Sequence, residues 1–397
     1  MSHPNFFSPA FLETIMRRHA PDQDLRVRAV RPFAVDSSAS ILATLTAGRS
    51  ARPIGHFGLE VDLEAAGRAS TRRLLLKLKP PGADISAMLA QLAQACGGEL
   101  AEVYPAFQAR SGFEHTHHRE LAVYPLTTPA LAPRVWGLYA DEEQQVYAVL
   151  MEYLDGTELL NSVMAPGQWT DAHLRAALTQ LAGWHARHLT TTPPAWPDLP
   201  SAAYMQPLTP LWEALLSNAA HHCPQLYGPA RVQQLRQAIR AIPATWAALD
   251  ALPRTLVHND LNPRNTCFRP GPGGPQLCAY DWELATYHVP QYDVVELLCF
   301  VLDADRYHLR AGYLEHYRRA LHARTGQYAD AAAFRQGFQL AALGFGLHRL
   351  GLYLMAHAVS PYPFLPRVVN SFFATLDQDA GPSQRVRERV LLGCLDA

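Results

Sequence analysis

Three side chains whose types and spacing suit chemistry stand close together late in the chain: Asp260, Asn265 and Asp281. They lie in the stretch LVHNDLNPRNTCFRPGPGGPQLCAYDWELA, where Asn265 follows Asp260 by five residues and His258-Asn259 precedes it. The Gly271-Pro272-Gly273-Gly274 run is a turn signal, so Asn265 to Arg269 and Gln276 to Tyr280 read as the arms of a short hairpin. Such a reversal is expected to return Asp281 to the neighbourhood of Asp260 and Asn265. Two carboxylates and a carboxamide at one place suit a hard divalent cation, which prefers oxygen ligands. Phosphoryl transfer needs this set: one carboxylate to orient or accept the proton of an attacking hydroxyl, and a second with an amide oxygen to hold Mg²⁺ against phosphates.

The pattern HxDxxxxN, followed by an apolar residue before Asp-aromatic-Glu, resembles the aminoglycoside phosphotransferase and choline kinase group of small-molecule kinases. His258-Asn259-Asp260 in particular is similar to the choline kinase variant. The resemblance implies an α+β, two-lobed protein-kinase-like fold: a small N-terminal antiparallel-sheet lobe over residues 1–154 and a larger, mainly helical lobe over 155–397. It implies ATP and Mg²⁺ as cofactors and a small-molecule hydroxyl as acceptor. Asp260 takes the part of the base, His258 holds the loop in shape, and Asn265 and Asp281 hold the metal. Glu283 stands where protein kinases have the glycine of their metal-binding triplet, and no APE-like segment follows, which argues against a protein kinase. The second reading, a nucleotide-binding pseudokinase or regulatory module, is opposed by the intact Asp260, Asn265 and Asp281.

Other elements must position these groups. Arg72 to Lys79 reads as a strand stopped by Pro80-Pro81, and alternation puts Lys77, Lys79 and Leu75 on one face and Leu74, Leu76 and Leu78 on the other. By resemblance Lys77 reaches the nucleotide phosphates, with Lys79 as the fallback. A helix over about Phe113 to Tyr124 offers Glu120 as the carboxylate that holds the lysine, with Glu114 as the alternative. Glu120-Leu-Ala-Val-Tyr124 resembles the ecdysteroid kinase-like branch, with Val123 departing at its aromatic position. Val149 to Gly156 resembles the kinase hinge, so backbone groups of Glu152 and Leu154 are expected at an adenine edge. Strand-like runs from Leu25 to Ala47 flank Asp36-Ser37-Ser38-Ala39, and Ser37 and Ser38 are expected to face phosphate in place of a glycine-rich loop.

After the hinge the signals are helical. Thr170 opens a helix whose His185 reads as a hydrogen-bonded core histidine. Helices are also expected over Leu211–Ala220, Ala230–Leu252, His308–Thr325, Asp330–Val359 with a break, and Pro366–Asp377. Asp293 follows a proline-containing loop, where by resemblance an aspartate braces the active-site backbone; an N-cap role uses the same residue. Glu296, Asp303 and Asp305 either attract a cationic acceptor or lie on a solvated helix face.

Composition bounds the rest. The chain has 397 residues, 49% hydrophobic and 17% charged, with a formal net charge of -1. Such a chain buries a large core, and its charge gives no support to nucleic acid or an anionic membrane as partner. Six cysteines without a CxxC pair read as free thiols of a reducing compartment, and with no leader expected at the N-terminus, the cytoplasm is the expected location. Oligomeric state and acceptor identity, whether a choline-like amine or a bulky sterol-like alcohol, are left open by the residues.

Overall fold

The computed structural model describes residues 5–21, 24–35, 54–196 and 198–377. The chain divides into two compact units: Met1–Met88 with Gly112–Glu158 and Cys278–Leu284, and Leu89–Ser111 with Leu159–Leu277 and Ala285–Ala397.

The first unit is built on a five-stranded antiparallel sheet. Its strands are β1 (Leu25–Phe33), β2 (Gly55–Ala65), β3 (Arg68–Lys79), β4 (Val135–Asp141) and β5 (Val146–Glu152), in the order β1-β2-β3-β5-β4. Alternation sorts β3 as expected: Leu74, Leu76 and Leu78 enter a core with Leu59, Val61 and Leu63 of β2 and Ala148 and Leu150 of β5. That face is covered by the helix Pro9–His19 through Phe11, Leu12, Ile15 and Met16. The helix opens with Ser8 accepting from the Phe11 amide at 3.2 Å and proline at its first position. Each such leucine contributes roughly 1.5–3 kcal/mol on burial. The opposite face of β3 carries Lys77 and Lys79, on a central strand and almost fully buried.

The partner of β1 is β2, a strand missing from the sequence reading; the expected partner over Ser40 to Ala47, and the turn with Ser37 and Ser38, lie outside the described residues. β4 was likewise not expected. Gly82 ends β3's exit: a Cβ there would stand 1.9 Å from the Glu114 carbonyl oxygen, so only glycine allows this approach. Its amide donates to His117 Nδ1 at 2.9 Å, tying the end of β3 to the helix Thr116–Val123.

The second unit is mainly helical. Two short antiparallel strands, β6 (Thr255–Val257) and β9 (Thr286–His288), pair with each other, while β7 (Thr266–Gly271) and β8 (Gly274–Ala279) form the expected hairpin. Gly274, at φ +113°, permits its turn. The helix Asp171–His188 starts at a capping box between Thr170 and His173. The expected helix over Ala230–Leu252 is two, Pro229–Arg240 and Ile242–Asp250, because Pro243 lacks the N–H that continuity requires. The long helix expected from Asp330 breaks at His348, giving Ala331–Leu347 and Arg349–Val359. The helix Gln291–Val301 is buried on every side and forms the centre of this unit. Among the described residues no helix is long and apolar enough to cross a membrane, and the described cysteines are free.

Candidate active site

In the first unit, four buried charged groups meet a partly exposed fifth, Asp281. Lys77 Nζ donates to Glu120 Oε1 at 3.0 Å and to Asp281, and lies 3.8 Å from Glu283. Lys79 Nζ donates to Glu120 and, at 2.8 Å, to Glu283. Glu120 is therefore the shared partner of both lysines, and Lys77 is the one that also reaches Asp281. Glu114 contributes its backbone to the contact with Gly82. Glu120, Asp281 and Glu283 each offer an oxygen within 4.8 Å of the others, and the two ammonium groups bond all three.

The electrostatics follow from that crowding. Burial opposes ionisation of Glu120 and Asp281, but the charges of Lys77 and Lys79 outweigh it and hold both below the usual carboxylate range. Glu283 goes the other way: burial, then the Asp281 charge, raise it. Lys77 is pushed well above its ordinary value, burial being overcome by Asp281 and Glu120. Two cations thus face two firmly ionised carboxylates and a third that protonates more easily. Asp281 keeps a 30% exposed side chain, against 8% for Lys77. Its φ of +66° is a left-handed conformation that aspartate tolerates, and it donates its amide to Tyr124 Oη at 3.4 Å.

In the second unit the loop after β6 is held by one carboxylate. Asp293, in the first turn of Gln291–Val301 and fully buried, accepts from the amides of His258 (2.8 Å) and Asn259 (2.9 Å). It also meets His185 Nε2 at 3.1 Å, and His185 Nδ1 meets Tyr317 Oη at 2.6 Å. So Asp293 braces the loop rather than capping its own helix, and His185 is a hydrogen-bonded core histidine. Burial opposes ionisation of Asp293, yet these donors and imidazoles hold its carboxyl below the usual range. Asn259 sits at φ +62°. Asparagine tolerates this left-handed region better than most residues other than glycine.

Asp260, buried at the floor of this loop, has both oxygens engaged. Oδ2 accepts from Asn265 Nδ2 at 2.7 Å; Oδ1 accepts from Arg349 Nη2 (2.7 Å), Tyr353 Oη (2.7 Å) and Asn262 Nδ2 (3.0 Å). Asn265 Nδ2 also donates to the Asp260 carbonyl at 2.9 Å, so Asn265 Oδ1 is the atom its side chain offers to a cation. Burial would raise Asp260, but Arg349 and Arg264 hold it below the carboxylate range. His258 is wholly buried, its amide on Asp293.

Glu152 ends β5, paired with Leu74; its amide donates to the Arg134 carbonyl at 2.9 Å and its carboxylate accepts from the Arg134 amide at 2.8 Å. Leu154 follows, half-buried. Of the acidic residues that follow Asp281, Glu296 is not on a solvated face: it is fully buried, accepting from Asn262 at 3.4 Å, and burial, then the Asp260 charge, push it well up. Sequence reasoning missed Arg264, Arg349 and Tyr353. Arg349 was visible only as a charge in a long apolar stretch, a weak sign that it is buried against a partner.

A model of the phosphotransferase enzyme family, APH, matches residues 67–334, more than half of the chain. Comparison with curated proteins gives no match. Among solved structures, an ethanolamine kinase of Plasmodium vivax is similar at 12% identity and a TM-score of 0.43, over 90% of this chain and 83% of that one. A GDP complex of an aminoglycoside 2'-phosphotransferase variant gives 12% and 0.46, over 94% and 99%. An aminoglycoside phosphotransferase of Streptomyces rimosus, in complex with ADP and streptomycin, gives 17% and 0.41, over 78% and 99%. By its architecture, an antiparallel-sheet unit and a mainly helical one, the chain is α+β, and by the family match it belongs to the phosphotransferase enzyme family.

Proposed function

We propose that the protein transfers the γ-phosphoryl group of ATP to a hydroxyl of a small molecule. The observation that carries this reading is Lys77, buried and bonded at once to Glu120 and to Asp281. Phosphoryl transfer needs a lysine fixed beside a metal-binding aspartate, because its work is positioning and charge neutralisation. In this reading Lys77 meets phosphate oxygens and Glu120 keeps it forward, with Lys79 holding Glu120 and Glu283 from behind. The backbone of Glu152 and Leu154 faces the adenine edge, while the turn with Ser37 and Ser38 lies outside the described residues. The lobes at 1–154 and 155–397 serve nucleotide and acceptor respectively.

In this reading Asn265 and Asp281, each carrying the hard oxygen donor that Mg²⁺ prefers, would hold the ion, which would neutralise phosphate charge. Asp260 orients the acceptor hydroxyl and takes its proton. Its depressed pKa makes it a weak base, which suits a loose transition state in which the proton moves late. His258 and Asp293 keep the loop in shape. The engagement of both Asp260 oxygens favours one competing reading, a nucleotide-binding protein that does not transfer. An ADP-release screen of purified protein with Mg²⁺-ATP against amino alcohols, aminoglycosides, sugars, hydroxy acids and sterol-like alcohols separates the two. Calorimetric ATP binding with acceptor-dependent ADP release supports transfer, and binding without release from any class refutes it.

A further inference from the structure

The surroundings of Asp260 bear on what the acceptor is. Two guanidinium groups converge on this one carboxylate: Arg349 donates to Oδ1 at 2.7 Å, and Arg264 Nη2 lies 4.0 Å from the same oxygen. Arg264 also donates to Tyr353 Oη and, through Nε, to Asn262 Oδ1 at 3.3 Å. Its guanidinium lies 5.2 Å from the Tyr353 ring centroid and 5.6 Å from that of Phe364, which stacks on Tyr362 at 5.5 Å. Glu296, the other carboxyl facing this group, bonds Asn262 rather than an arginine. An ammonium on the acceptor would have to sit against two guanidiniums of like charge. An oxyanion would meet planar donors that suit it in both charge and geometry.

We propose that the acceptor carries an oxyanion, a carboxylate or a phosphate, on the skeleton that bears its hydroxyl, and that Arg264 and Arg349 recognise it. The inference rests on the phosphotransferase reading above and names its substrate class. An incoming oxyanion competes with Asp260 for Arg349 and so releases Oδ1 to receive the acceptor hydroxyl. The aromatic surfaces of Tyr353, Tyr362 and Phe364 would take an apolar body on the same molecule.

The test compares hydroxy compounds matched in shape but not in charge: 3-phenyllactate with phenylalaninol, glycolate with ethanolamine, and glycerol 3-phosphate for the phosphate arm. With Mg²⁺-ATP, ADP release should favour the anion of a pair by about 100-fold in kcat/KM, and the stronger of the carboxylate and phosphate arms identifies the source. Arg264→Gln is the variant of choice, because removing Arg349 would strand a buried carboxylate. It should raise KM for the anion by about tenfold or more, with little change in kcat, and erase the preference within each pair; Arg264→Lys should recover part of both. Calorimetry should show 3-phenyllactate binding weakened to the same degree. Equal or better turnover of the amines, or an Arg264→Gln variant with unaltered KM, overturns the inference and leaves the phosphotransferase reading standing. ATP binding with no release from any anion also overturns it. No release from any acceptor, anion or amine, overturns the phosphotransferase reading itself, whether or not ATP binds.

Discussion

Replacing Asp293 by alanine tests how the active-site loop is held. The carboxylate accepts from the His258 amide at 2.8 Å, from the Asn259 amide at 2.9 Å, and meets His185 Nε2 at 3.1 Å; Asp293, His258 and His185 are wholly buried and Asn259 partly so. Alanine leaves those donors without an acceptor in the interior. A hydrogen bond to a charged group is worth about 1.5–3 kcal/mol, so three amount to roughly 4–9 kcal/mol before relaxation. Water entry and repacking recover part of this, which brings the expected loss to roughly 3–5 kcal/mol. That is a large share of the roughly 5–15 kcal/mol by which folded proteins are stable. Urea unfolding gives the size of the loss. Hydrogen exchange locates it, since the amides of His258 and Asn259 should exchange at least about 100-fold faster while the β3 amides keep their protection. Asp293→Asn keeps one acceptor and should lose about half as much. A loss under about 1 kcal/mol for Asp293→Ala, or unchanged protection at His258 and Asn259, would refute the bracing role.

Three further outcomes follow from the same geometry. Lys77→Met should lower kcat/KM for ATP by about 100-fold or more, and Lys79→Met by less than about tenfold, since only Lys77 bonds Asp281; equal losses would remove the distinction between them. Glu120→Gln withdraws the carboxylate shared by two buried ammonium groups, so thermal and urea unfolding should report a loss of about 3–5 kcal/mol, with KM for ATP rising and KM for the acceptor unchanged. Asn259→Gly should be tolerated to within about 0.5 kcal/mol, whereas Asn259→Val should cost about 1–2 kcal/mol at φ +62°, as read from unfolding midpoints.

Much of the fold and site was legible because the deciding signals are local. The alternation of Leu74, Leu76 and Leu78 with Lys77 and Lys79 fixes which face of β3 is core, whatever lies above it. The glycine-proline turn located the hairpin of β7 and β8. The spacing of Asp260 and Asn265 sufficed for their bond, which a single tight loop makes. β2 was missed although Leu59, Val61 and Leu63 alternate with Glu60, Asp62 and Glu64, so its signal was present and unread. Arg349 could not be found by spacing: it reaches Asp260 across 89 residues of chain, through a helix whose orientation only tertiary packing sets. Glu296 misled for a physical reason. A carboxylate is normally at the surface, and this one is buried beside Asp260, where only desolvation and a raised pKa reconcile it with its surroundings.

The most direct test of the proposed chemistry is the single-turnover rate of phosphoryl transfer from Mg²⁺-ATP to the best acceptor, with Asp260→Asn beside the unaltered protein. Asparagine keeps the size of the side chain and removes its charge and its capacity to take a proton. A fall of about 1,000-fold or more, with ATP affinity within about threefold, is the predicted result. A rate within tenfold of the unaltered protein would contradict the role given to Asp260.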